Sequence, residues 1–378
     1  MRAALAVVAL VLFPATAFAQ SSDDTRAAAT ARPAVVLVTV GWHGWVRDTR
    51  TGEVFGGRTG YDVAVTCAGT VISADGYVAT ASHCVHTGPL GGAGALFAAA
   101  VAELKKAGRV GDEGKAAAQF ADHGVAEGAS PDRPLDRDIR VERRDRDGRD
   151  VAPATVVDLT APDAGDVAVL KVERTGLPTV AIRPDAPEVG TEVTVLGHSS
   201  TEDLEVDHRG GAIAGRREQN GKPYLEFAGT ITRGQSGGPV VDGTGALVGV
   251  VGRVSAESHT VAASASTLAD LVRGKGIQLV PGPGDLAYRT GVERYFADDY
   301  DGAVESFDAA LAAGHPRAAE YRESALGRGG AATSPGTLGL LAVLCGCLGL
   351  AGLAGAVGMV VERSRAGRKP ALVSTVDD

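Results

Sequence analysis

The stretch "CAGTVISADGYVATASHC", residues 67–84, decides how the chain folds. Two apolar runs rich in β-branched residues flank the dipeptide Asp75-Gly76, which is a strong signal for a hairpin turn. Similar short apolar runs, separated by turn residues, extend over residues 33–280. Many short strands with regular turn signals favour an all-β sandwich or barrel.

Residues 88–138 interrupt this β pattern with a segment rich in Ala and Gly and then in charge. Within it Phe97, Val101 and Leu104 recur at helical spacing, which predicts one helix. The remainder is interpreted as a surface insertion. Loops of this length are usually functional or disordered, and the sequence does not choose between the two.

Residues 285–327 form a helical region after the Pro- and Gly-rich linker Val280–Asp285. The spacing of its small and aromatic residues resembles one tetratricopeptide repeat, with Pro316 near the expected closing proline. A solenoid normally needs about three repeats to bury its core. A helical hairpin docked on a neighbour is therefore favoured over a peptide-binding module, and both stay open.

Both ends of the chain carry membrane-targeting patterns. Residues 1–19 have a basic start, an apolar run and an Ala-x-Ala site, the layout of a signal peptide cleaved before Gln20. Residues 337–361 are 25 residues without a charge, long enough to be a transmembrane helix. Basic residues follow in the tail 362–378, which predicts a cytoplasmic tail and an extracytoplasmic main domain. Glycines at every third position of the span make self-association a hypothesis, unless glycine is simply common in this chain.

Composition bounds the function further. The net charge of −9 argues against a nucleic-acid-binding surface, which needs a basic face. No Cys/His cluster has metal-ligand spacing and no glycine-rich nucleotide loop is found, so neither a metal nor a cofactor is expected. The excess of Arg over Lys, with abundant Ala and Gly, is typical of a GC-rich bacterial genome. We therefore expect a single-pass protein of a bacterial cell membrane.

Three segments supply the side chains of a nucleophilic catalytic set. "GQSGG", residues 234–238, places Ser236 in a glycine-rich turn, where an ordinary polar loop residue is the alternative interpretation. A serine hydroxyl needs a base to remove its proton and a third group to orient that base. His83 ends the first hairpin, and Asp166 directly precedes an alternating strand over residues 167–172. The chain order is therefore His, Asp, Ser.

The same segments carry a resemblance to a known family. "GTVISADGYVATASH" (69–83), "DVAVLKV" (166–172) and "GQSGGPVVD" (234–242) resemble, in this order, the motifs of chymotrypsin-like serine proteases, nearest the HtrA/Deg branch. The resemblance covers residues 33–280 and implies an all-β fold of two six-stranded β-barrels. No PDZ domain is recognisable after it, so the substrate delivery of that branch is not assumed.

The resemblance also implies a role for each motif residue. Ser236 would attack a scissile carbonyl, His83 would take its proton, and Asp166 would hold the imidazole and stabilise the imidazolium. The backbone N–H groups of Gly234 and Ser236 would form the oxyanion hole.

Two further features follow from the resemblance. Many secreted members of the class have a disulfide beside the catalytic His, which implies a Cys67–Cys84 bond on the exported side of the membrane, although HtrA proteins typically lack it. Thr230, Gly252 and Val254 would line the substrate pocket. Thr230 stands where trypsin-like enzymes have an acid, and Val254 where a glycine gives large residues room. Cleavage after small or aliphatic residues is expected.

Together these features predict a membrane-anchored serine endopeptidase that hydrolyses peptide bonds of extracytoplasmic proteins through an acyl-enzyme. Its partners would be protein or peptide substrates and the membrane. The alternative is a catalytically idle protease-fold protein that acts as a partner-binding scaffold of the bacterial envelope.

Overall fold

The computed structural model describes residues 22–129, 133, 135–145, 148–198, 204–229, 231, 234–254 and 260–331. The predicted signal peptide (1–19), membrane span (337–361) and tail (362–378) lie outside these residues. Within the described part, no helix has the length and apolar character needed to cross a membrane.

The described residues contain strands and helices with the following bounds. The strands are β1 (Val35–Asp48), β2 (Val54–Phe55), β3 (Tyr61–Ser73), β4 (Tyr77–Thr80), β5 (Gly124–Glu127), β6 (Asp136–Asp145), β7 (Gly148–Leu159), β8 (Ala168–Val172), β9 (Glu192–His198), β10 (Val206–Gln219), β11 (Lys222–Ala228), β12 (Pro239–Asp242), β13 (Leu247–Val254) and β14 (Thr260–Ser264). The helices are α1 (Ser22–Ala31), α2 (Ser82–Val85), α3 (Gly92–Lys106), α4 (Glu113–His123), α5 (Ala265–Val272), α6 (Pro283–Phe296), α7 (Tyr300–Ala312) and α8 (Ala318–Gly327).

The first barrel consists of six antiparallel strands in the order β1-β3-β4-β8-β7-β6. β1 closes the ring because it pairs on both sides, so that Val38 lies opposite Cys67 of β3 and opposite Val141 of β6. Side chains alternate across a strand, and Val40 and Trp42 are among the β1 residues buried inside. The short apolar runs of the sequence thus form strands that close into a barrel.

The second barrel closes in the order β10-β11-β14-β13-β12-β9. Its β10–β11 hairpin turns at Asn220 and Gly221, whose φ angles of 50° and 71° are both positive, as a two-residue hairpin turn of type I′ requires. Two closed six-stranded barrels are typical of the chymotrypsin-like fold, so the predicted fold of the β region is confirmed.

The insertion between β4 and β6 is folded and packed against the first barrel. It contains α3, α4 and β5, and β5 pairs with β1. Leu96, Ala100 and Phe120 are buried, and the rings of Phe97 and Phe120 stack with centroids 6.1 Å apart. The prediction that only one helix forms in this segment is wrong. A second helix, α4, forms because its buried residues Ala116 and Phe120 lie four positions apart and share one face.

Residues 283–327 form three helices, α6, α7 and α8, rather than the two of a simple hairpin. Their core includes Tyr288, Val292 and Phe307, and Ala29 of α1 packs into it. The predicted linker ends inside this structure, because the buried carboxylate of Asp285 accepts hydrogen bonds from the backbone N–H (3.2 Å) and the hydroxyl (2.7 Å) of Thr179. The helical region is therefore fastened to the segment that connects the two barrels.

Candidate active site

His83 lies on the four-residue helix α2, which starts directly after β4. Ala81, the N-cap residue of this helix, has an extended backbone and is fully buried. The side chain of His83 is 16% exposed, whereas its neighbour Ser82 is completely buried. The imidazole of His83 thus lies near the surface of the barrel, and the two residues before it, Ala81 and Ser82, are buried.

Asp166 lies two residues before β8, and it is only 3% exposed. One carboxylate oxygen, Oδ1, accepts hydrogen bonds from the Oγ of Ser82 (3.1 Å) and from the backbone N–H of His83 (2.9 Å). The other oxygen, Oδ2, lies 2.9 Å from Nδ1 of His83. Because an ionised carboxylate can only accept, Nδ1 carries the proton in the neutral ring and Nε2 keeps a free lone pair. The structure therefore joins His83 and Asp166, from segments 83 positions apart, in the geometry of a base and the group that orients it.

The backbone of Asp166 has a φ of 49°, in the left-handed region that side chains other than Gly, Asn and Asp seldom adopt. Gly165, just before it, has a φ of 123°, and its N–H donates a 2.6 Å hydrogen bond to the hydroxyl of Tyr224. Burial raises the pKa of Tyr224, so this hydroxyl stays neutral. Tyr224 thus holds the second barrel against the loop that carries the acid.

Ser236 lies half-buried in the loop between β11 and β12. Gly234 and Gly237 on either side have φ angles of 93° and 81°. A Cβ on Gly234 would clash with the carbonyl oxygen of His198, and one on Gly238 with that of Leu196. Glycine is therefore required for this turn to approach the second barrel so closely.

The Ser236 turn contacts the first barrel close to His83. The carbonyl of Ser236 accepts a 2.7 Å hydrogen bond from the N–H of Ala68 in β3. A Cβ on Gly237 would lie 2.9 Å from the backbone nitrogen of Ala81, two residues before His83. The three candidate residues therefore lie at one junction between the barrels. Within the described residues, His83 and Ser236 are not joined by a hydrogen bond.

The carbonyl of Gly234 accepts a hydrogen bond from the N–H of His198 at 3.3 Å, which fixes one side of the turn. In the part of the chain that the structure describes, the N–H groups of Gly234 and Ser236 have no acceptor. Two free backbone donors on one turn are the groups that an oxyanion hole needs.

The predicted disulfide between Cys67 and Cys84 is confirmed. It joins β3 to α2, and both cysteines are buried. The bond is expected to stabilise the fold by about 3 kcal/mol in the chain-entropy model.

Residues 67–250 match the family model of the trypsin-like peptidase domain. The matched range includes His83, Asp166 and Ser236. We call this range the peptidase domain, after the family model that it matches. No curated protein sequence matches the chain.

Two solved structures resemble this chain at low identity. A serine endoprotease from Yersinia pestis is 20% identical with a TM-score of 0.40, and the match covers 67% of this chain and 65% of that one. A protease from M. tuberculosis, in its active form, is 18% identical with a TM-score of 0.41, and the match covers 69% of this chain and 88% of that one. This chain thus spans less than two thirds of the Yersinia pestis protein. Likenesses this distant do not bear on the chemistry of the peptidase domain.

Of the three predicted pocket residues of the peptidase domain, the structure describes the positions of two. Gly252 lies on β13, where an added Cβ would be 3.1 Å from Oδ2 of Asp166. Val254 ends the same strand and pairs with Thr260 of β14. Thr230 lies outside the described residues. The pocket prediction therefore stays a prediction.

Two residues at the candidate site were missed by sequence reasoning, namely Ser82 and Tyr224. Ser82 directly precedes the motif histidine, and that position was the only available signal for it. Tyr224 lies 58 positions after Asp166 within an ordinary strand pattern, which gives no signal for its contact with Gly165.

Proposed function

We propose that this chain is a serine endopeptidase. Ser236 attacks the scissile carbonyl, and His83 takes its proton and returns it to the leaving amine. Asp166 fixes the imidazole tautomer and stabilises the imidazolium. The proposal rests above all on one observation, that a buried carboxylate holds Nδ1 of His83 at 2.9 Å and so directs its basic nitrogen away from itself.

The order of events follows from these contacts. Binding of a peptide brings the nucleophile and the base into hydrogen-bond reach, which candidate catalytic groups without substrate often lack. The oxygen of the tetrahedral intermediate is then stabilised by the N–H groups of Gly234 and Ser236. One such donor is typically worth about 10²–10³ in rate.

Substrate choice and location complete the proposal. With Thr230 where trypsin-like enzymes have an acid, and with Gly252 and Val254 at the positions of the pocket wall, we expect cleavage after small or aliphatic residues. The uncharged residues 337–361 would anchor the enzyme in a bacterial cell membrane with the peptidase domain outside, and their glycines would allow self-association. Extracytoplasmic proteins would then be the substrates.

A fluorophosphonate probe tests the chemistry directly, because it labels only a serine that a neighbouring base activates. Full-length wild-type protein should be labelled near neutral pH and should cleave casein. Ser236→Ala and His83→Ala should do neither. His86→Ala is the matched control, because this nearby imidazole accepts a hydrogen bond from the N–H of Gly88 and is not part of the proposed triad.

Two outcomes would refute the triad. Labelling of Ser236→Ala would place the reactive group elsewhere. A well-folded wild type that is neither labelled nor active would favour the alternative, a catalytically idle scaffold.

A further inference from the structure

A set of side chains with metal-binding chemistry lies directly beside the candidate base. Sγ of Cys67, Sγ of Cys84 and a ring nitrogen of His83 all lie within 4.8 Å of one another. Within the described residues, this is the one group of three or more His, Cys, Asp or Glu side chains that is close enough to hold a metal ion. The two sulfurs form a disulfide, and metals bind the thiolate rather than the disulfide.

We propose that reduction of the Cys67–Cys84 disulfide turns this trio into a Zn²⁺ site, and that Zn²⁺ bound there stops peptide hydrolysis. The inhibition rests on the proposed peptidase function, whereas the zinc site does not. The peptidase would be active when oxidised and blocked when reduced in the presence of zinc.

The ligand set suits zinc in kind and in size. Two thiolates and one imidazole are soft or borderline ligands that favour Zn²⁺ over Mg²⁺ or Ca²⁺. With Zn–S bonds of about 2.3 Å in a tetrahedral site, the two sulfurs would lie about 3.8 Å apart. Once the disulfide is broken, rotation of the two cysteine side chains, whose Cα atoms are 6.4 Å apart, would have to open the sulfurs to that separation. Water would fill the fourth position.

The scaffold around the trio does not depend on the disulfide alone. Cys67 is held in the barrel wall because β3 pairs with β1 on one side and β4 on the other. Cys84 and His83 are neighbours on α2, and Asp166 accepts hydrogen bonds from the backbone and the ring of His83. A carboxylate behind a metal-bound imidazole is a common arrangement that orients the ring and strengthens the ligand.

Zinc bound at this site would prevent His83 from acting as a base, whichever ring nitrogen binds the metal. Bound to Nε2, it occupies the lone pair that would accept the proton of Ser236. Bound to Nδ1, it displaces the contact with Asp166 that sets the tautomer. Neither form can act as a general base.

Reduction of the Cys67–Cys84 disulfide needs an external reductant, and a dithiol can supply the electrons and protons. The dithiol gives two electrons and two protons, the S–S bond breaks, and the dithiol leaves as its own disulfide. Zn²⁺ then displaces one proton from each thiol to water without changing its own oxidation state.

The test compares oxidised and reduced full-length protein. A tertiary phosphine serves as the reductant, because a dithiol would itself bind zinc; the phosphine becomes its oxide with oxygen from water. After incubation with zinc sulfate and desalting, elemental analysis should find about one Zn²⁺ per chain in reduced protein and almost none in oxidised protein. Casein cleavage by reduced protein should fall at least about 100-fold with zinc and recover with a chelator, since a general base contributes that much or more.

Variants assign the ligands. Cys67→Ser combined with Cys84→Ser should retain no zinc under either condition. His86→Ala, two residues beyond Cys84, should retain as much as the wild type. Circular dichroism checks that reduced protein stays folded, and zinc should raise its melting temperature but not that of the double variant.

Equal zinc in reduced and oxidised protein, retention by the double variant, or a reduced chain that is unfolded would each overturn the zinc site. Zinc retention without any effect on cleavage would overturn the inhibition. Because retention is measured without activity, a failure of the peptidase assignment would leave the zinc result readable.

Discussion

Removal of the Ser82 hydroxyl tests whether this buried serine, next to His83 in sequence, contributes to catalysis as well as to stability. Ser82→Ala deletes the 3.1 Å hydrogen bond to Oδ1 of Asp166 and leaves that oxygen with the backbone N–H of His83 as its donor. A hydrogen bond to a charged group is worth about 1.5–3 kcal/mol, and Ser82 is fully buried, so the unfolding free energy should fall by about that amount. The contact between Oδ2 and Nδ1 survives.

The rate should fall by a smaller free energy than the stability does, because the contact between Oδ2 of Asp166 and Nδ1 of His83 stays in place. If about 1 kcal/mol of the lost hydrogen bond is felt in the transition state, kcat decreases about fivefold with KM unchanged. This is far below the loss of about 10⁴ when a triad acid loses its charge. Urea unfolding and initial rates with a short peptide substrate measure the two effects separately.

A matched variant shows whether lost stability alone lowers the rate. Ser264→Ala removes another fully buried serine, which caps α5 by accepting from the N–H of Ser266, and should cost about 1 kcal/mol. Its kcat should equal that of the wild type. An unchanged kcat in Ser82→Ala would show that Ser82 is only structural. A loss as large as that of Ser236→Ala would show that the carboxylate depends on this single donor.

Three further predictions follow from the neighbouring contacts. Gly237→Ala places a Cβ against the carbonyl of Ala68 at a φ of 81°, so the nucleophile turn should shift and fluorophosphonate labelling should fall about 100-fold; full labelling would contradict this. Tyr224→Phe leaves the buried N–H of Gly165 unpaired and should lower the free energy of unfolding in urea by about 1–3 kcal/mol, whereas an unchanged midpoint would argue against the contact. Burial raises the pKa of Asp285, so its stabilisation is complete below its unfolded value near 3.8 and is lost as the pH rises through the folded pKa. Thermal unfolding of the wild type should show this loss relative to Asp285→Asn, and equal pH dependence of the two would contradict it.

The barrels could be predicted because their signals are local. The hairpin between β3 and β4 turns at Gly76, whose φ of 90° is one that glycine adopts readily. The dipeptide Asp75-Gly76 is the sequence signal that predicts this turn. Asn220 and Gly221 act in the same way between β10 and β11. Closure of the strands into two rings is not local, and it was available only through the resemblance of the three motifs.

Contacts between distant segments account for what was missed. Helix α4 forms where Phe120 can pack against Phe55 and Phe97, and neither contact is visible in the alternation of its own segment. The end of the predicted linker is fixed because the carboxylate of Asp285 accepts a hydrogen bond from the hydroxyl of Thr179, 106 positions away. A polar residue in a Pro- and Gly-rich linker is interpreted as solvent-exposed until its tertiary partner is known.

The local structure around Asp166 is an argument for the triad that does not depend on motifs. Burying a carboxylate is unfavourable, and holding a non-glycine backbone at a φ of 49° costs of the order of 1 kcal/mol or more. If this loop only had to pack, Asn or Gly would serve better, because both accept a positive φ and neither carries a charge. The donors that offset the cost, the Ser82 hydroxyl, the His83 N–H and the ring N–H of His83, all come from two residues of α2. A buried charge supported in this way acts on one imidazole, which is what a base that must become a cation during the reaction requires.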